Sequence, residues 1–264
     1  MTEPGLTLDE RRAQQAVHAR ERAAHLASRD QRAPRRSVEE LHAVATAAEK
    51  RFARSDTDEV LAWVAEEFGD RTAVACSMAD AVLPHVVAAH LPWVDTLFLD
   101  TGYHFAETLG TRDAVEASMR LTIVDVKPPL SVIEQDTEHG AKLYQRDPGL
   151  CCDLRKVQPL HDSLQGYEAW ITGVRRDEGP TRASTPFVSW DDKNRLVKIN
   201  PLAAWTFDEL LAYAEEHDVI VNPLVSDGYP SIGCSPCTRR VAPGEDPRAG
   251  RWAGLDKTEC GLHS

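Results

Sequence analysis

The chain has 264 residues, 42% of them apolar, enough for one large α/β domain or a core domain with appendages and too much for a peptide or a fibre. Acidic residues outnumber basic ones by 42 to 30, a formal charge of −12. That balance excludes a broad electropositive face of the kind that holds nucleic acid, and an anionic ligand would need a local basic pocket.

Residues 1 to 36 carry eight arginines against five acidic side chains. Leu6, Leu8, Val17 and Leu26 are too few to bury a long helical face, so the segment reads as a polar extension, helical or partly disordered. The opening MTEPGLTLDERRAQ lacks the basic segment, apolar run and small-residue cleavage site of a secretory leader, which predicts a cytoplasmic, reducing location. Ser37-Val-Glu-Glu40 is a capping box that opens a helix, and Asp56 or Thr57 opens another ahead of Val60, Leu61, Val64 and Phe68. The longest apolar stretch, Ala73 to Val94, is broken by Asp80, His85, His90, Pro84 and Pro92, so no membrane span is expected.

From Thr72 short β-branched runs alternate with helical patterns. Strands are predicted at Thr72 to Ser77, Trp93 to Asp100, Leu121 to Lys127 and Ala169 to Val174. Helices are predicted at Ala79 to His90, Phe105 to Arg120, Ser131 to Glu138, Asp153 to Leu164 and Phe207 to His217. This alternation implies an α/β fold, a mostly parallel sheet with helices on both faces, followed by a loop-rich C-terminal tail. Ligands of such sheets sit beyond the carboxyl ends of the strands, which directs attention to Cys76 to Asp80, Asp100 to His104 and Gly173 to Arg182.

Six cysteines stand at positions 76, 151, 152, 234, 237 and 260. In a cytosolic chain they suggest metal or redox work before structural disulfides. Cys234-Ser-Pro-Cys237 is a turn that lets two thiolates face one metal, and Cys151-Cys152 offers two more. Four thiolates suffice for zinc or an iron–sulfur cluster. Adjacent cysteines diverge on a helix or strand and so fit a cluster with spread corners better than one tetrahedral ion. The bland alternative is a packed Cys151-Cys152 pair beside a redox dithiol.

Cys260, near the C-terminus, suits a nucleophile that reaches into a pocket, reacts and swings out to a reducing partner. A free thiol is ionised to only a few per cent at neutral pH, so cations such as Lys257 and His263 would have to raise the thiolate share. Arg175, Arg176 and Arg182 follow a predicted strand, Arg248 and Arg251 lie in the tail, and Lys156 follows the cysteine pair by one helical turn. Each alone is an ordinary surface cation; together they suit phosphate and sulfate oxygens. The turn Cys76-Ser77-Met78-Ala79-Asp80 could offer amides to a phosphate, although it lacks the glycines of a phosphate loop. His85, His90 and His104 read as packing or surface residues.

These residues in combination resemble the assimilatory sulfonucleotide reductases, specifically the cluster-containing adenosine 5′-phosphosulfate (APS) reductases. The matching blocks are Leu99-Asp-Thr-Gly, Cys151-Cys152-x-x-Arg155-Lys156, Ile171-Thr-Gly-x-Arg-Arg-Asp, Gly233-Cys-x-Pro-Cys-Thr, Arg248-x-Gly-Arg-Trp252 and Glu259-Cys-Gly-Leu-His263. The resemblance spans about Asp58 to Ser264 and implies an adenine-nucleotide α-hydrolase-like sheet. It divides the chain into an N-terminal extension over 1–55, a nucleotide-binding α/β domain over 56–232 and a tail over 233–264. It further implies a [4Fe-4S] cluster on Cys151, Cys152, Cys234 and Cys237, and a nucleophile at Cys260. Substrate contacts are implied at Ser77, Thr101, Lys156, Gly173, Arg182, Arg248, Arg251 and His263.

The implied reaction reduces APS to sulfite and AMP through an S-sulfocysteine on Cys260, resolved by thioredoxin or a similar dithiol. Where the family's phosphate loop usually begins with Ser, this chain has Cys76-Ser77-Met78. Two alternatives share the fold: reduction of the 3′-phosphorylated nucleotide PAPS, whose specialised enzymes generally lack the four cysteines, and a nucleotide-dependent ligase or adenylyltransferase.

Overall fold

The alternation that begins at residue 72 produces a six-stranded sheet in the computed structural model, which describes residues 7–28, 34–254, 257 and 259–262. The strands are β1 (Thr72–Ala75), β2 (Asp95–Leu99), β3 (Thr122–Val126), β4 (Ala169–Thr172), β5 (Val188–Asp191) and β6 (Leu196–Ile199), in the order β3-β2-β1-β4-β6-β5. Neighbours run parallel except β5 and β6; at the centre Val74 lies between Thr96 and Ile171. The helices are α1 (Leu8–Ser28), α2 (Val38–Arg51), α3 (Thr57–Glu67), α4 (Val82–His90), α5 (Ala106–Ser118), α6 (Val132–His139), α7 (Leu143–Arg146), α8 (Pro148–Cys152), α9 (Gln158–Leu164), α10 (Phe207–Glu216) and α11 (Pro223–Ser226).

Strand periodicity sorts the core into two layers. Val74, Phe98, Ile171 and Val197 point to the face covered by α2, α3, α4, α5 and α10. Ala73, Leu97, Trp170 and Leu196 point to the other, where Leu160 and Leu164 of α9 pack. Among the described residues no helix is long and apolar enough to cross a membrane.

Two readings of the sequence are revised. The segment assigned to an extension as far as residue 55 contains part of the core: Leu41, Ala45, Ala48 and Phe52 are buried with Val188 and Ile199. The capping box at Ser37 forms as expected, and just before it Arg36 clamps Glu168 through its backbone N–H at 2.7 Å and its Nε at 2.8 Å, and also pairs with Glu67. By contrast α1 is anchored mainly by polar contacts: Glu21 accepts from Trp93 Nε1 at 3.2 Å and pairs with Arg120 at 2.9 Å. The second revision is the β5–β6 hairpin, where no element was expected. Its strands are four residues long and interspersed with Ser189, Asp191 and Lys198, and its turn is held by Asn194 N–H donating to Asp191 Oδ1 at 2.9 Å.

From β1 the chain adds β2 and β3 on one side, whereas β4 and β6 lie on the other. The carboxyl ends of β1 and β4 therefore flank a crevice at which the connections diverge, the usual ligand position in open parallel sheets.

Candidate active site

A cavity of about 240 Å³ fills that crevice. Ser77 and Gly173 line it from the ends of β1 and β4, Lys156 from the segment before α9, and Arg182, Arg248 and Arg251 from the loops; Cys260 enters from the tail. Expected site residues far apart in the chain thus meet around one space. His263 lies outside the described residues.

The turn after β1 is fixed without glycine. Met78 is fully buried at φ 59°, its carbonyl accepts from Asn222 Nδ2 at 3.0 Å, and Asn222 also donates to Thr108 Oγ1 at 3.2 Å. This strap delays α4 to Val82, three residues later than the sequence pattern indicates. Just beyond the turn two amides are already engaged: Ala81 N–H donates to Ile220 O at 2.9 Å and Val82 N–H to Asp80 Oδ1 at 3.0 Å. Burial pushes the Cys76 thiol up to about 12 and raises the Asp80 carboxyl above the usual range. His104, read as packing, also lines the cavity, with Nε2 bonded to Leu99 O at 2.9 Å and its ring stacked on Phe98.

The basic groups are ordered by specific partners. Arg182 binds Glu178 at 2.6 Å and Glu259 at 2.8 Å, and Arg248 reaches the same Glu259 oxygen at 3.2 Å. Burial opposes ionisation of Glu259, but Arg182, Arg248 and Arg251 hold it below the ordinary carboxylate range. Arg251 donates to Ser231 Oγ and Ile232 O, each at 3.3 Å, and its guanidinium lies where a Cβ on Gly233 would sit. Burial lowers the Lys156 pKa, yet Cys234, Cys260 and Cys152 outweigh it and keep the ammonium above its usual value. Cys260 thus lies within electrostatic reach of Lys156 and Arg251. Lys257, expected beside Cys260, stands over the Trp252 ring and within reach of Cys152. Gly261 O accepts from Lys193 at 3.2 Å, and Leu262 packs on the apolar cluster of Leu160 and Trp170.

A smaller cavity of about 20 Å³, which shares Lys156, Cys234 and Arg251 with the main one, is lined by Cys151, Cys152, Cys234 and Cys237. Cys151 and Cys152 end α8, which is capped by Asp147 and followed by a π-type turn over Asp153–Val157 that carries Arg155 and Lys156. Pro159 has no N–H to offer the Arg155 carbonyl, and the chain widens ahead of it, Gln158 N–H pairing with Asp153 O. The Cys234–Cys237 turn is closed by Cys237 N–H donating to Cys234 O at 2.9 Å and tied down by Ser235 N–H donating to Tyr103 O at 2.7 Å. All four thiols are free. Burial, then their mutual proximity, pushes Cys151 up to about 12 and Cys237 up to about 11. Cys234 alone of the four is lowered: burial opposes this, but Lys156 and Thr101 prevail.

Thr101, expected to touch substrate, is fully buried with its Oγ1 3.4 Å from Cys234 Sγ, so it faces the cysteines instead. Arg155 binds the Thr101 carbonyl, donates to Gln135 Oε1 at 3.0 Å and lies over the Tyr103 ring, joining the π turn to the loop after β2. Among the described residues no three His, Cys, Asp or Glu side chains form a site for a single metal ion. Four soft donors ringing a small cavity fit a multinuclear iron–sulfur group, whose metal corners are spread several ångströms apart. Lys156 lines both cavities. The sequence reading assigned no role to Glu259, Glu178, Asp80 or Arg155; Glu259 was signalled only by its position beside Cys260 in the terminal motif.

Comparison with known proteins gives the family. Residues 65–240 match the model of the phosphoadenosine phosphosulfate reductase domain. The chain is 57% identical over 228 residues to an adenosine 5′-phosphosulfate reductase of Streptomyces coelicolor, covering 86% of this chain and 97% of that protein. It is 55% identical to one of Mycolicibacterium smegmatis, covering 85% and 95%. Among solved structures, a phosphoadenylyl-sulfate reductase of Candida auris in a phosphate complex superposes with a TM-score of 0.60 at 27% identity, covering 72% of this chain and 94% of that one. The sheet is of the adenine-nucleotide α-hydrolase-like kind, and the chain belongs to the sulfonucleotide reductase family defined by the phosphoadenosine phosphosulfate reductase domain.

Proposed function

We propose that the protein reduces APS to sulfite and AMP for sulfate assimilation in the cytoplasm, with Cys260 as nucleophile. The observation that carries this reading is Cys260 in the wall of a cavity at the carboxyl edge of β1 and β4 that Lys156, Arg182, Arg248 and Arg251 also line. Relatives more than half identical over nearly their whole length bear the corresponding name.

The adenosine would lie against the loops after β1 and β4, and the phosphosulfate would take charge-assisted hydrogen bonds from Arg182, Arg248, Arg251 and Lys156. The Cys260 thiolate attacks the sulfonyl sulfur, the S–O bond to the phosphate breaks with its electron pair, and AMP departs. The cations stabilise the oxygens that gain charge, typically by a few kcal/mol per donor. A dithiol such as thioredoxin then attacks Cys260 Sγ, sulfite leaves, and the resulting mixed disulfide is displaced by the partner's second thiol. Sulfur gains two electrons and the dithiol loses two.

Cys151, Cys152, Cys234 and Cys237 would hold a [4Fe-4S] cluster, which when bound supplies charge and a rigid frame for the two cysteine segments. Lys156, which lines both cavities, would join the substrate side to that frame. The test is intact-mass analysis after incubation with APS, together with iron and sulfide content. Wild type gains the mass of one SO₃ group and Cys260→Ser gains none; an equal adduct on the serine variant overturns the reading. Competition between APS and PAPS measures the preference of the same site.

A further inference from the structure

We infer that Glu259 is an internal stand-in for the substrate's oxyanion, so that docking of the tail and binding of the nucleotide compete for Arg182 and Arg248. The inference rests on the proposed use of these arginines for the phosphosulfate. Both carboxylate oxygens of Glu259 are engaged: Oε1 accepts from Arg182 Nε at 3.1 Å, and Oε2 accepts from Arg182 Nη2 at 2.8 Å and Arg248 Nη2 at 3.2 Å. This is the bidentate fork with which a guanidinium takes one edge of a phosphate or sulfate. The remaining nitrogen of Arg182, Nη1, is bound to Glu178 at 2.6 Å.

The two glutamates differ in what else holds them. Glu178 also accepts from the backbone N–H of Arg175 at 2.9 Å, within its own short turn, so it stays with Arg182 as a fixed counter-charge. Glu259 belongs to the tail, where among the described residues 259–262 it is the carboxylate anchor, beside Gly261 O on Lys193 and Leu262 on the apolar cluster. An incoming phosphosulfate can use the Nε–Nη2 edge of Arg182 only by displacing Glu259. Because Glu259 is bonded to Cys260, displacement also shifts the nucleophile, and the tail re-docks on the remaining anchors with the substrate's oxygens in place of its own carboxylate. A carboxylate that occupies the site before substrate lowers apparent affinity by the fraction of molecules left open. It also keeps two arginines paired in the empty enzyme.

The experiment measures equilibrium binding of APS, and separately of inorganic sulfate, to the metal-loaded enzyme carrying Cys260→Ser, with and without Glu259→Gln. Competition predicts that Glu259→Gln tightens both ligands by roughly tenfold, the factor expected for a tail closed about nine-tenths of the time. Unchanged or weaker binding of both overturns the inference. Tighter sulfate with no APS binding in either protein keeps the inference and overturns the substrate reading. In steady state, with Cys260 intact, Glu259→Gln lowers KM and kcat together, because an anchor of the nucleophile is lost with the competitor. A merely structural role would raise KM. Glu259→Asp, which retains the charge, stays closer to wild type than Glu259→Gln; an equal effect of the two overturns the charge argument.

Discussion

The contacts of Arg251 show how narrowly one residue is placed. A Cβ on Gly233 would come within 2.6 Å of its guanidinium carbon, so Gly233→Ala drives the side chain off Ser231 and Ile232. The expected result is a KM for APS raised by roughly tenfold, the cost of one charge-assisted contact. Thiosulfonate formation at saturating APS should remain; kinetics with unchanged KM would contradict the placement. Glu259 carries a pH signature. Its folded pKa is depressed, so its pairing is present above the ordinary glutamate range and is lost as the pH falls through the lowered value. The APS affinities of Cys260→Ser with and without Glu259→Gln should therefore converge on acidification, which binding titrations across that range would measure. At this scale the sequence was informative where chemistry is local. The cysteine spacings and the terminal Cys260 could be read directly, because two-residue spacing and chain position carry their meaning without a fold. The facing of Thr101 toward Cys234 and the bridge from Glu259 to Arg182 could not be read, since each joins residues more than 70 positions apart.

At the scale of elements, the π turn before α9 governs how two adjacent cysteines face one cavity. Pro159→Ala supplies the missing N–H and favours an ordinary helical turn through Asp153–Val157, rotating the cysteine-bearing α8 relative to the Cys234–Cys237 turn. Metal retention should fall, with affinity reduced on the order of tenfold or more as for other supporting changes around metal ligands. Iron and sulfide analysis of the purified variant checks this; full metal content would show that the proline does not set the turn. The parallel strands β1 to β4 are legible because β1, β2 and β4 are largely apolar and end in polar turns. The hairpin was not, because β5 and β6 are short and their alternation is diluted by half-buried Ser189, Trp190 and Asp191. The start of α4 is illegible for a related reason: the backbone of Ile220 and the side chain of Asn222, distant in sequence, hold the preceding turn open.

For the whole molecule, a chain of net charge −12 places Lys156, Arg182, Arg248 and Arg251 around one cavity, and the tail that lines it depends on elements remote from the chemistry. Lys193, which holds Gly261, lies in the turn between β5 and β6, and that hairpin is covered by α2. The N-terminal region therefore divides at residue 34. Deleting residues 1–33 removes α1, whose described anchors are ion pairs of Glu21 and Arg22, worth about 1 kcal/mol or less each, and the contacts of Glu21 and the His18 ring with Trp93. Deleting residues 1–55 also strips Leu41 and Ala45, both fully buried, together with Phe52 and the Arg36 clamp on Glu168. Truncation of one such core leucine alone costs roughly 2–5 kcal/mol, against a total stability of about 5–15 kcal/mol. Denaturant melts should accordingly show the shorter deletion close to the full chain and the longer one without a cooperative transition. A cooperative, undiminished melt of the longer deletion would mean that α2 is dispensable to the core and that the hairpin bearing Lys193 stands without it.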